Sequence, residues 1–134
     1  MSRLSIEKPI EKNFITTGPD ATLGEFVKLV AKSQRNVFPV IDEENNFLGV
    51  IFINDIRHII FETDQYDSVF MRNLMFMPDT LVEQDATMED VAQKFTESSH
   101  YNLPVLKDGK YIGFVSRANV FSAYRKLVKD FSND

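Results

Sequence analysis

The same pattern of residues occurs twice in the chain, and this internal repeat constrains the fold more than any other feature of the sequence. Each copy opens with Asp-Ala-Thr, at residues 20–22 and 85–87, followed by apolar residues at helical spacing. Each then continues with an apolar strand that contains a proline, at Val37–Ile41 and at 103–106. One copy has too few apolar residues to bury a sheet and two helices by itself. We therefore expect two copies that pack together about a pseudo-two-fold axis.

A second apolar strand and a second helix complete each copy. The second strand contains Gly49 or Gly113, and a glycine inside a strand often marks the close approach of another backbone or of a ligand. The prolines favour strands at the edge of a sheet, because proline has no N–H to donate to a ladder. Short extra strands are predicted at 14–16 and 81–82, and the second helices at about 54–62 and 117–131. The sequence thus predicts a mixed α/β (α+β) fold of two strand–helix–strand–strand–helix units.

The positions of the two copies divide the chain into four segments. Between the copies, a short helix is expected around 71–75, ahead of Pro78. The predicted segments are a connecting segment 1–13, a first repeat 14–62, a linker 63–80 and a second repeat 81–131.

The composition excludes several classes of function. The chain has 134 residues and a net charge of −5, which argues against a nucleic-acid partner because such partners favour a basic surface. It contains no cysteine, so disulfides, thiolate metal sites and cysteine nucleophiles are excluded. The N-terminal stretch has no apolar core of a signal peptide, and no apolar run reaches the roughly 20 residues of a membrane-spanning helix. We therefore expect a soluble, cytoplasmic protein.

The repeated order of helix, proline strand, glycine strand and polar helix start resembles a tandem pair of cystathionine β-synthase (CBS) domains. A closer resemblance, to the cytosolic C-terminal CBS pair of bacterial CLC-type chloride channels and transporters, rests on residues 33–40, 54–61, 66–67, 113–117 and 120–125. The resemblance implies a regulatory module, not an enzyme, that binds adenine nucleotides such as ATP, ADP or AMP between repeats. It also implies a homodimer, and a membrane domain in the same full-length chain.

Candidate site residues follow from the same resemblance. In nucleotide-binding members the glycine strand leads into Gly-x-apolar-Ser/Thr-x-x-Asp, where the hydroxyl approaches phosphate and the carboxylate accepts hydrogen bonds from ribose. The first junction has Asp55 but Phe52 at the hydroxyl position; the second has Ser116 but Asn119 at the carboxylate position. Arg117 adds positive charge to the second junction. Further contacts are implied at Thr16, Thr17, Asn36, Val37, Phe38, Val82, Tyr101, Asn102 and Leu103.

Three alternatives stand beside this interpretation. Asp55 and Ser116 lie at helix starts, where capping stabilises a helix by about 1 kcal/mol without any ligand. The half-complete junctions favour a ligand-free structural dimerisation module. The absence of a membrane domain from the sequence is consistent with a stand-alone nucleotide-binding CBS protein that regulates another partner. No ligand spacing joins His58 to His100, so no metal site is expected. No cofactor is required, and no motif of a catalytic site is found.

Overall fold

The computed structural model describes residues 5–6 and 9–132. The elements in chain order are α1 (Leu23–Lys32), β1 (Val37–Ile41), β2 (Phe47–Phe52), α2 (Ile53–Ile56), a 3-10 turn (Thr63–Gln65), α3 (Met71–Leu74), β3 (Val82–Glu83), α4 (Met88–Glu97), β4 (Asn102–Lys107), β5 (Lys110–Ser116) and α5 (Arg117–Ser132). The mixed α+β class is confirmed. None of the helices in this part of the chain is both long and apolar enough to cross a bilayer.

The chain forms two compact units, and they do not follow the chain in simple order. The first unit is Asn13–Asp79, and the second joins Met1–Lys12 to Thr80–Asp134. The division into four segments stays a prediction, but the predicted connecting segment does more than connect, because its residues Ile6 and Ile10 lie in the core of the second unit.

The first unit packs α1 against the antiparallel pair β1 and β2. Helix α1 begins at Thr22, whose Oγ1 accepts from the Glu25 N–H at 3.2 Å while the Glu25 carboxylate accepts from the Thr22 N–H at 3.0 Å. Its apolar face joins the linker helix α3 in one core. The buried members of this core are Leu23, Phe26, Phe38, Val40, Ile51, Ile56 and Met71.

The second unit has a three-stranded sheet with β4 in the middle, parallel to β3 and antiparallel to β5. Helices α4 and α5 pack against it. The buried members of its core are Ile6, Ile10, Val82, Met88, Val91, Phe95, Leu103, Val105, Val115 and Val120.

The expectation of an edge strand is wrong for the second proline, since β4 has a neighbour on each side. Pro104 lies opposite Phe114, and Phe114 directs its N–H and C=O away from β4, to Glu11, at 2.9 and 2.7 Å. The proline nitrogen therefore faces the β3 side, where pairing begins only at Val82 opposite Val105. The proline is tolerated because its missing donor falls just before the ladder starts.

Pro39 in β1 is accommodated in the same way. It lies opposite Val50, whose N–H and C=O bond to Phe76 at 2.9 and 3.1 Å, so the Pro39 nitrogen faces away from β2. On that side Thr17 is the one residue of the described chain that bridges to the strand: its N–H donates to the Pro39 oxygen at 3.0 Å and its oxygen accepts from the Ile41 N–H at 2.9 Å. Residues 14–16, which are described, form no strand, so that prediction is wrong.

The second helix of the first repeat is also shorter than predicted. Helix α2 ends at Ile56, and turns replace the rest of the expected 54–62 helix. Its N-cap, Phe52, has no side-chain oxygen to accept a hydrogen bond, and the isoleucines that follow are poor helix formers. The corresponding helix of the second repeat, α5, agrees with the predicted 117–131, and α3 confirms the short linker helix.

The strand glycines mark a close approach of backbone. A Cβ atom added at Gly113 would lie 2.5 Å from the Glu11 oxygen, and one at Gly49 would lie 2.7 Å from the Phe76 oxygen. Each glycine strand thus has a chain segment from outside its repeat at its outer edge. Of the two explanations offered for these glycines, neighbouring backbone rather than a ligand accounts for both.

Candidate functional site

Each glycine strand leads directly into a helix, and a backbone hydrogen bond ties the junction to the start of the proline strand. The Arg117 N–H donates to the Tyr101 oxygen at 2.8 Å in the second unit, and the Ile53 N–H donates to the Asn36 oxygen at 3.0 Å in the first. The two junctions therefore share one backbone geometry and differ in their side chains.

The second junction opens into a cavity of about 640 Å³, which we call the junction pocket. This volume falls in the range of small-molecule sites, about 300–1,000 Å³. The lining residues are Tyr101, Asn102, Ser116, Arg117, Ala118, Phe121 and Arg125. They include two guanidinium groups, a hydroxyl, an amide and two aromatic rings, and no carboxylate. In a chain with a net charge of −5, this combination favours an anionic ligand that carries a ring.

Ser116 is the N-cap residue of α5. Its Oγ accepts from the Asn119 N–H at 3.1 Å, so the capping interpretation is confirmed at this position. The same hydroxyl keeps its own proton for donation, and it lines the junction pocket at a helix N-terminus, where negative charge is stabilised. Capping and ligand contact are therefore compatible at Ser116.

Arg117 is fixed by internal hydrogen bonds. Its guanidinium donates to the backbone oxygens of Phe95 at 2.7 Å, Ser98 at 2.9 Å and His100 at 2.9 Å. It also lies over the Tyr101 ring, 5.8 Å from the centroid. The side chain ties the end of α4 to the start of α5, and it holds a positive charge at the wall of the junction pocket.

Of the other predicted residues of the second unit, Asn102 lies in the junction pocket, whereas Leu103 and Asn119 do not. Asn102 pairs with Ser116 across the sheet and lines the junction pocket. Leu103 is 1% exposed and its side chain packs in the core, because successive strand residues face opposite sides of the sheet. The exposed Asn119 donates to the Glu11 carboxylate at 3.0 Å and is not among the lining residues.

The first junction is less polar. The Phe52 ring, at the hydroxyl position, packs against Phe76 with centroids 5.6 Å apart. Asp55 is exposed, and the N-cap of the four-residue helix α2 makes no side-chain hydrogen bond, so capping does not explain this carboxylate. Four further candidates of the first unit offer little exposed surface to a ligand: Thr17, Val37 and Phe38 are buried, and Thr16 is half-buried.

Phe121 and Arg125 line the pocket but were not among the site residues expected from the sequence. The signal for them was available, because Ala118, Phe121 and Arg125 follow each other at i, i+3 and i+7 and so share one face of α5. No group of three or more histidines, aspartates or glutamates able to hold a metal ion occurs in the described chain. His58 is exposed, and His100 is half-buried.

A model of the CBS domain matches residues 6–62 and 71–126, so the chain belongs to the CBS domain family and is a tandem CBS pair. The matched ranges contain both proline strands, both glycine strands and the junction pocket. The family defines the class of this protein: paired α+β repeats in a single chain.

Individual relatives carry this pair in different settings. Homoserine O-acetyltransferase of Methanococcus vannielii is 26% identical over 121 residues, which cover 90% of this chain but 25% of the relative. CBSX2 of Arabidopsis thaliana, solved in complex with AMP, superposes with a TM-score of 0.74 at 23% identity, covering 92% of this chain and 98% of that one. CbpB, solved in complex with c-di-AMP, gives a TM-score of 0.75 at 18% identity, covering 96% and 89%. At these identities the solved structures establish the shared fold.

Proposed function

We propose that this protein is a non-catalytic regulatory CBS pair that binds an adenine nucleotide in the junction pocket. The observation that carries the proposal is the pocket itself, which combines an exposed aromatic ring, a hydroxyl at a helix N-terminus and two cationic side chains without a carboxylate. The AMP complex of CBSX2 and the c-di-AMP complex of CbpB support this choice of ligand class.

Each part of a nucleotide has a matching group in the junction pocket. The Tyr101 ring is 75% exposed and offers a stacking surface for the base. Asn102 can both donate and accept hydrogen bonds, which suits a base edge or a ribose hydroxyl. Ser116 can donate to an anion that is stabilised by the start of α5. The first junction lacks the equivalent hydroxyl, so we assign the nucleotide to the second unit.

Regulation follows if the ligand binds one conformation of the chain more tightly than another. A ligand with equal affinity for both conformations would not shift the equilibrium between them. The regulated partner we propose is a CLC-type channel or transporter domain of a longer chain, on its cytoplasmic side, with the module acting as a homodimer. A stand-alone role in regulating another protein is the alternative. The chain spans a quarter of the length of homoserine O-acetyltransferase, which illustrates a CBS pair within a larger protein.

A ligand-free structural module is the second candidate function. It is favoured by the internal partners of Ser116, Arg117 and Asn119, which leave the junction stable without a ligand.

Thermal unfolding with AMP, ADP and ATP separates the two functions. A ligand at 100 times its dissociation constant stabilises the folded state by about 2.7 kcal/mol. We expect this rise in Tm to be strongly reduced in Tyr101→Ala, because loss of a stacking ring costs about 1–3 kcal/mol of binding. Phe61→Ala is the matched control, since Phe61 is 81% exposed but lies in the first unit.

The outcomes are distinct. A rise that survives Tyr101→Ala but is lost in Asp55→Ala would place the nucleotide at the first junction instead. No rise with any of the three nucleotides would favour the structural module.

A further inference from the structure

Arg125 is the cationic side chain of the junction pocket that the fold does not fix in place. Arg117 is tied through its Nε and Nη2 atoms to three backbone oxygens, so it contributes a charge at one position. Arg125 is exposed on the surface of α5 and lines the same pocket. A ligand can therefore recruit Arg125 without breaking a hydrogen bond that holds the fold together.

The position of Arg125 on α5 suits contact with a phosphate held near Ser116. Eight residues separate Arg117 from Arg125, which corresponds to about 12 Å along a helix. Helical side chains lean toward the N-terminus, and an arginine is long enough to cover much of that distance. Phe121 lies between them on the same face, so the pocket runs from the Ser116 hydroxyl past an aromatic ring to the Arg125 guanidinium.

We propose that Arg125 reads a single phosphate group of the bound nucleotide, and that the junction pocket is selective for an adenosine 5′-monophosphate unit. This inference rests on the proposed function. Guanidinium pairs with phosphate through two parallel N–H···O bonds, which gives geometry as well as affinity. The Arg117 guanidinium is already bound to backbone oxygens and the lining residues contain no third cation, so the β- and γ-phosphates of ADP and ATP gain no further cationic partner there.

The test compares the binding of adenosine, AMP and ATP to the full chain by calorimetry. Wild type is expected to bind AMP at least about tenfold more tightly than adenosine, as a charge-assisted hydrogen bond allows, and to bind ATP no more tightly than AMP. Arg125→Gln is expected to reduce the difference between AMP and adenosine strongly but not fully, because Ser116 and the start of α5 still face the phosphate. Arg125→Lys keeps the positive charge but loses the two parallel N–H donors, so it should retain part of the difference in affinity between AMP and adenosine. Lys126→Gln is the matched control, because Lys126 is the adjacent exposed residue and does not line the pocket, and it should keep the full difference in affinity.

Salt dependence and a second ligand give two further tests. Added salt should weaken the binding of AMP but not that of adenosine, because only the phosphate contact is ionic. A cyclic dinucleotide, c-di-AMP, also carries phosphate next to adenosine, but as a diester that joins two riboses. Suppose that c-di-AMP binds more tightly than AMP and that this advantage is lost in Arg125→Gln. The contact between Arg125 and a phosphate is then supported, and the ligand that supplies the phosphate is a dinucleotide.

Two results would overturn the inference while the proposed function survives: equal affinity of wild type for AMP and adenosine, or an AMP preference that Arg125→Gln retains in full. Binding of ATP to wild type about tenfold tighter than AMP would exclude the single-phosphate selectivity. If wild type binds neither adenosine nor AMP, the proposed function itself fails.

Discussion

At the scale of single residues, Gly113 occupies a position that has no room for the Cβ atom of any other residue. The Glu11 backbone lies so close to β5 that a Cβ atom at position 113 would meet the Glu11 oxygen at 2.5 Å. The two hydrogen bonds between Glu11 and Phe114, at 2.7 and 2.9 Å, depend on that approach. The glycine therefore decides whether Glu11 can pair with the sheet.

Gly113→Ala is expected to destabilise the protein by about 1–3 kcal/mol, the usual cost of forcing an atom into a packed site. Urea denaturation measures this loss. The control is Gly18→Ala, because the atom nearest to an added Cβ at Gly18 is 3.9 Å away. Equal stabilities of the two variants would show that the outer segment moves aside at no cost.

The roles of such residues could be predicted from the sequence only in part. It singled out Gly49 and Gly113, but a strand glycine alone does not say whether a backbone or a ligand approaches it. Ser116, Arg117 and Asn102 were named as site residues and do line the pocket, whereas Asn119 contacts Glu11 instead. That contact spans 108 residues of sequence, and no local pattern encodes it.

At the scale of elements, helix starts show how local chemistry sets the ends of the helices. Thr22 and Glu25 form a reciprocal capping box at α1, and Thr87 accepts from the Asp90 N–H at 3.2 Å at α4. Both helices were predictable because cap and apolar spacing agree. Helix α2 was predicted too long, because its isoleucine spacing is helical while Phe52 offers no cap.

The capping box predicts a pH dependence. Hydrogen bonds from the Thr22 backbone N–H and hydroxyl to the carboxylate hold the pKa of Glu25 below its ordinary value, with a smaller contribution from Lys28. A lowered folded-state pKa gives stability that is present above the unfolded-state pKa and is lost as the pH falls through the folded-state pKa. Wild type should therefore be more stable than Glu25→Gln at neutral pH, and this advantage should vanish in acid.

Urea denaturation across an acid-to-neutral pH series tests this expectation. Thr22→Ala should cost about 1 kcal/mol at neutral pH, whereas Thr22→Ser keeps the hydroxyl and the stability. A difference between wild type and Glu25→Gln that does not change with pH would contradict the role given to the carboxylate.

At the scale of the whole molecule, each unit borrows a segment from outside its repeat. Met71 of the linker lies fully buried in the first unit, and Ile6 lies fully buried in the second. The repeat pattern predicted the doubled fold, because apolar periodicity and turn positions recur together. It could not predict where these borrowed segments pack, because they are not repeated and so have no counterpart in the other copy.

Ile6→Ala is expected to cost about 2–5 kcal/mol of local stability, as for other large-to-small changes in a core. Hydrogen exchange should show the loss in amides of residues 80–132 and leave those of 13–79 protected. Met71→Ala is the mirror-image control and should give the reverse pattern. The same loss in both units for either variant would mean that the chain opens only as a whole.

The borrowed N-terminal segment also has a consequence for synthesis on the ribosome. Residues 13–79 include every element of the first unit, so that unit is complete as soon as Asp79 leaves the exit tunnel. Ile6 and Ile10 are made earlier, yet their core partners in β4, β5 and α5 are made last. This segment is thus made before the first unit but buried only after the second repeat has been made, and a message truncated after the first repeat would leave these isoleucines without their core.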